Sequence, residues 1–226
     1  LNSSQIESLD NIKIENQDEE IEENENNTFK GAEVVLDSAG GLIFAAEASI
    51  TVETSSGQVV LKGQKIDLKS GSSVKAAGEA IVRGYDSLVL GDKISVGGSS
   101  VSITGGQQAF SLGNNVSLTA TNGGIEVLGD ADATLGGSLN VNASLKDPSA
   151  GDEAPIRIGA QGVLNVTEDK FEVIAENGSV DIFGGNRLNI KNDLTIISAS
   201  DSSLTSENGL IDIGNKATVK AGTQSG

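Results

Sequence analysis

Along most of this chain apolar and polar residues take turns. In "SGQVVLKGQKIDLKSGSSV" (Ser56–Val74) the alternation runs, breaks at a glycine and resumes beyond it. Side chains two residues apart leave the same face of a strand, so the pattern predicts short half-buried strands. The breaks fall on Gly, Asn, Asp or Ser, residues suited to turns and to positive φ. Glycine-led units begin at Gly41, Gly57, Gly124, Gly178 and Gly209, at a loose spacing of roughly 16 to 31 residues. Repetition on that scale is the mark of a stacked architecture.

The unit "GSVDIFGGNRLNIKNDLTIISAS" from Gly178 shows how one turn is built. Val180 with Ile182, Leu188 with Ile190, and Leu194 with Ile196 form three apolar pairs at spacing two. Three strands around a turn then point those pairs inward and leave Asp181, Asn189 and Thr195 outside. Successive turns stack through parallel strands about 4.8 Å apart. The fold expected is all-β, a β-helix or β-solenoid of short strands. A single winding chain and a trimer of three intertwined chains both fit the pattern.

Four segments are expected. Residues 1–28 form an acidic, flexible N-terminal arm, residues 29–143 a first solenoid part and residues 159–226 a second. Residues 144–158, "SLKDPSAGDEAPIRI", carry both prolines (Pro148 and Pro155) and read as a protruding loop or a joint. "VRGYDSLVLG" (Val82–Gly91) holds the single tyrosine, Tyr85, expected to be packed rather than displayed.

Composition supports the thin core. Aromatic residues make up 3% of 226, so Val, Ile, Leu and Ala have to fill the interior. Cysteine, histidine and methionine are all absent. Disulfides and thiolate metal sites are thereby excluded. A first residue other than Met suggests a processed product or a fragment. No apolar run reaches the 18 or so residues of a membrane-crossing helix.

Charge narrows the partners. The formal net charge is −17, which disfavours nucleic acid, since phosphate contacts need clustered Lys and Arg. Residues 1–28 concentrate nine acidic residues against the single Lys13. Lys62, Lys65, Lys69 and Lys75 suggest a weakly basic strip, or outward lysines that discourage edge-to-edge aggregation.

"ITVETSSGQVVLKGQKIDL" (Ile50–Leu68), within Ala32–Ser70, resembles the rhythm of sarcoglycan ectodomains. That resemblance implies a β-helical ectodomain, an extracellular location and intertwining with two further chains. The membrane span and cysteine cluster of sarcoglycans have no counterpart in these residues. The same alternation is similar to the passengers of bacterial filamentous-haemagglutinin-type adhesins, which are also poor in cysteine.

Chemistry-bearing patterns are few. Without His or Cys, nucleophile–base triads and transition-metal sites lack their parts. Arg83, Arg157 and Arg187 fall in different units, and no enzymatic role is expected. No cofactor is expected either. In "LGDADATLGG" (Leu128–Gly137), Asp130 and Asp132 stand two apart and either begin a calcium site or serve as turn residues. N-x-Ser/Thr sequons at Asn2, Asn26, Asn115, Asn142, Asn165 and Asn177 offer sites for N-linked glycans.

The combined expectation is a non-enzymatic, extracellular structural glycoprotein, a subunit of a rod, trimer or filament at the cell surface. The alternative is an adhesin stalk or binding module that displays the 144–158 loop to a receptor or glycan. Partners are then further copies or related chains.

Overall fold

A computed structural model describes the backbone at residues 5–7, 12–16, 20–23, 27–31, 34–38, 41–44, 50–145, 154–167 and 169–222. Side chains are described for Leu36 and from Glu53 onward within those ranges. The described residues hold strands and turns without a helix, and every strand pairing is parallel. The chain is a β-solenoid with three faces. Seven turns follow one another from Ile50 to Ile213.

One turn shows the plan. Ser95–Gly98 lies on the first face, Val101–Gly105 on the second and Ala109–Leu112 on the third. In two turns the second and third faces are joined in a single long strand, Val59–Leu68 and Ala80–Leu90, which bends where its register shifts between Gly84 and Ser87. On the second face Val59, Ala80, Val101, Ile125, Ile156, Val180 and Ser202 stack in order, giving turns of 21, 21, 24, 31, 24 and 22 residues.

The alternation explains the core. Leu61, Val82, Ile103, Val127, Ile158 and Ile182 form one inward column of the second face, each at most 1% exposed. Ile66, Leu88, Phe110, Ala133, Leu164 and Leu188 form its counterpart on the third face, and Val74, Val96, Leu118, Val141, Val173 and Ile196 on the first. The six apolar residues expected inside the Gly178 unit are all buried, while Asp181, Asn189 and Thr195 are half-exposed.

Where the second face ends, the inward column becomes Gly63, Gly84, Gly105, Gly129, Ala160 and Gly184. A β-carbon at Gly84 would lie 2.2 Å from the Ser87 carbonyl oxygen, and one at Gly184 2.0 Å from that of Arg187. The chain bends there too sharply for a side chain, so this column sets the second corner.

The third corner, which leads back to the first face, uses polar side chains instead. Asp92 N–H donates to Ser70 Oγ at 3.1 Å, Asn114 N–H to Asp92 Oδ1 at 2.7 Å, and Gly137 N–H to Asn114 Oδ1 at 2.7 Å. Further on, Asn215 N–H donates to Asn192 Oδ1 at 3.1 Å. The following residue is left-handed at Gly71, Lys93, Asn115, Ser138, Lys170 and Asp193. Each corner side chain thus satisfies a backbone donor one turn away that would otherwise lack a partner.

Several expectations are corrected. Each described turn from Ile50 to Ile213 is closed by this chain alone, with its neighbouring rungs supplied by the same chain. Three chains do not share a rung here. The acidic stretch expected as a flexible arm carries strands Gln5–Glu7, Ile12–Asn16 and Glu20–Glu23, the last two paired with Val34–Ser38 and Gly41–Phe44. The alternation "IKIE" at Ile12–Glu15 accounts for this, because the apolar residues still fall at spacing two. The four lysines do not make one strip. Lys62 lies on the second face, Lys65 and Lys69 on the third face and its corner, and Lys75 on the first.

The 144–158 segment leaves from the first corner, between Leu139–Ala143 and Ile156–Ala160, and its residues 146–153 lie outside the described residues. Its last three residues, Ile156–Ile158, belong to the second-face strand. Ladders on either side stay in register across it, with Leu128 opposite Gly159 and Asn140 opposite Glu172. Asn177 Oδ1 accepts the Leu145 N–H at 3.0 Å, tying down the first end of the insertion.

Candidate functional site

The outer surface of the second face departs from a plain polar wall. One outward column runs Lys62, Arg83, Thr104, Leu128, Gly159, Phe183 and Thr205. Its chemistry changes from polar to apolar at Leu128 and back at Thr205. The gap at Gly159 is filled by Phe183, whose ring lies so close that a β-carbon there would meet Cε1 at 2.3 Å. Among the described phenylalanines, Phe110 and Phe171 are core residues at 3% and 0% exposure, whereas Phe183 is half-exposed outside it.

Charged groups surround that ring. The Arg157 guanidinium lies 5.2 Å from the ring centroid, a cation–π arrangement. Its Nε stands 3.5 Å from Asp181 Oδ2 and its Nη1 3.9 Å from Glu126 Oε1. Glu126, Arg157 and Asp181 are consecutive in the other outward column of this face, so the ion pairs run from rung to rung. Ser203 continues the column and donates its hydroxyl to Asp181.

A groove of about 380 Å³ opens beside this cluster, toward the second corner. Leu128, Phe183, Asp130, Arg157, Gln161 and Glu207 contribute side chains to it. Two further recesses lie on the third corner by Asn114 and Lys170 and on the third face by Asn165 and Asn189.

The two aspartates considered for calcium occupy the same corner but act differently. Asp132 Oδ1 accepts the Val163 N–H at 2.7 Å, a structural bond to the next turn. Asp130 is exposed at the groove, and its backbone N–H donates to the Gly105 carbonyl at 2.8 Å. Among the described residues no three acidic side chains gather as a metal-binding group.

The sequons divide among several environments. Asn2 and Asn26 lie outside the described residues. Asn115 is exposed at the third corner with φ of 57°, and Asn142 is half-buried on the first face. Asn165 Oδ1 accepts from Asn189 Nδ2 at 2.7 Å on the third face. Asn177 sits at the first corner, engaged with Leu145. Tyr85, expected to be packed, is 40% exposed at the second corner, with the Arg83 guanidinium 5.0 Å from its ring centroid.

The groove escaped sequence reasoning because its floor is a glycine inside a strand. The signal that marks it is an aromatic residue at an outward position of the alternation, "VDIFGG", where Val180 and Ile182 point inward. The class this geometry defines is a single-chain, three-faced parallel β-solenoid. The chain matches no protein-family model, no curated protein and no solved structure.

Proposed function

We propose that this chain is the body of a non-enzymatic, extracellular structural protein, a β-helical subunit of a rod or filament at the cell surface. The observation that carries the reading is the continuity of the three ladders. The longest turn, 31 residues, is accommodated at one corner without shifting the register of the turns on either side. Such a body gains length by adding turns, and each turn is stabilised by its neighbours. The resemblance to sarcoglycan ectodomains and to adhesin passengers supports the extracellular placement. The sequon at Asn115, exposed on a corner, supports a glycoprotein. Because each turn is closed within the chain, copies associate side by side or end to end.

The insertion supports a second reading, an adhesin stalk or binding module. A segment that leaves one corner, anchored by Asn177, is placed for display to a receptor or glycan.

Antibody labelling of intact source cells, combined with light scattering and negative-stain imaging of the purified chain, tests the first reading. Surface labelling and elongated particles are expected. Labelling only after permeabilisation overturns the extracellular placement, and compact isotropic particles overturn the rod.

A further inference from the structure

We infer that the groove beside Phe183 is a lateral binding site for a neutral sugar unit of a glycan. The inference does not depend on the rod reading, since a site on the face of one solenoid acts whether or not that solenoid is part of a surface fibre.

The argument starts from the column Thr104, Leu128, Gly159, Phe183 and Thr205. In a solvated face an apolar stretch of this kind is unneeded for the core, which the inward columns already fill. Gly159 clears the space over which the Phe183 ring lies, so the groove has an aromatic and aliphatic floor. Pyranose rings carry an apolar C–H face that packs against such a floor. Their edges carry hydroxyl groups that need hydrogen-bonding partners of both kinds.

The rim supplies those partners. Asp130 and Glu207 accept hydrogen bonds, and Gln161 both donates and accepts. All three are exposed, as an open lateral subsite requires. The volume of about 380 Å³ is on the scale of small-ligand sites.

Charge selects among sugars. Arg157 is the one cationic side chain lining the groove, and Glu126 and Asp181 already face it. The two free-standing carboxylates at the rim and the net charge of −17 repel uronic and sialic acids. A neutral hexose or N-acetylhexosamine meets no such penalty. The residue roles are therefore Phe183 and Leu128 as the platform, with Asp130, Gln161 and Glu207 holding hydroxyls.

Saturation-transfer NMR on the full chain provides the test, with maltotriose, cellotriose, chitotriose and lactose as neutral probes and trigalacturonate as the acidic one. Transfer is expected to the ring C–H protons of at least one neutral probe. It should weaken by about tenfold in affinity in Phe183→Ala and in the double variant Asp130→Asn/Glu207→Gln. Tyr85→Ala, outside the groove, should leave it unchanged. The exposed-rim double variant keeps the test decisive if Phe183→Ala fails to fold. No transfer to any neutral probe at millimolar concentration overturns the inference. So does transfer that both groove variants retain, or a preference for trigalacturonate.

Discussion

The Phe183 ring lies across Gly159 of the preceding turn, where a β-carbon would stand 2.3 Å from its Cε1. The fit ties the aromatic residue to the absence of a side chain below it. Gly159→Ala must push the ring aside. Alanine also relieves the entropy cost of glycine in a strand, about 0.5–1 kcal/mol. Overpacking costs about 1–3 kcal/mol, so the substitution alone should destabilise the chain by roughly 1 kcal/mol. In a Phe183→Ala background its sign should reverse. Urea midpoints of the four members of this cycle provide the check.

The third corner makes a second prediction. Asp92→Ala removes the acceptor for the Asn114 N–H, a bond of 2.7 Å between turns. A loss of about 1 kcal/mol is expected. Amide exchange at Asn114 should accelerate. Lys93, at φ of 57°, pays a left-handed cost that glycine does not. Lys93→Gly should therefore stabilise the chain by about 0.5 kcal/mol, less than the full relief because glycine also gains freedom when unfolded. Thermal melts of the two variants should move in opposite directions.

Arg157 faces carboxylates on both adjacent turns, but its side chain is 53% exposed. Solvent screening reduces such pairs to about 0.5 kcal/mol or less. Arg157→Met should lower stability slightly at low ionic strength, and the difference should vanish near 1 M salt, where the Debye length is about 3 Å. A salt-independent loss would assign the role of Arg157 to its packing on Phe183.

The insertion at the first corner gives the fourth. Replacing residues 146–153 by a short Gly-Asn turn should leave the thermal midpoint within about 3 °C, because the ladders on either side pair directly across it. Calorimetry reads the stability. Loss of receptor or glycan binding with the fold intact would favour the display reading over a plain structural rod.

These particulars show what the sequence carried openly. The inward rows at Val180, Ile182, Leu188, Ile190, Leu194 and Ile196 followed directly from spacing two, and with them the solenoid. Its period was harder to read. Gly57, Gly124 and Gly178 share the first corner but skip turns between them, whereas Gly209 belongs to the second, so glycine spacing mixed two corners. The steadier marker is the third-corner series "GDKISV", "GNNVSL" and "GNKATV", where an Asp or Asn precedes a residue that enters the first face. Phe183 stayed hidden for a different reason. Whether an outward aromatic finds a platform depends on what the next turn places beneath it, and Gly159 is 24 residues away.

The direction of the interstrand hydrogen bonds also governs how the molecule yields. They run from turn to turn, along the line in which the turns are stacked. A pull applied between the two ends therefore loads the outermost turn first and frees it before the next feels the full force. Each turn of 22 residues occupies about 4.8 Å while stacked and reaches roughly 75 Å once drawn out. Under tension the solenoid is a reel that pays out chain one winding at a time, and its shock absorption is set by the number of windings.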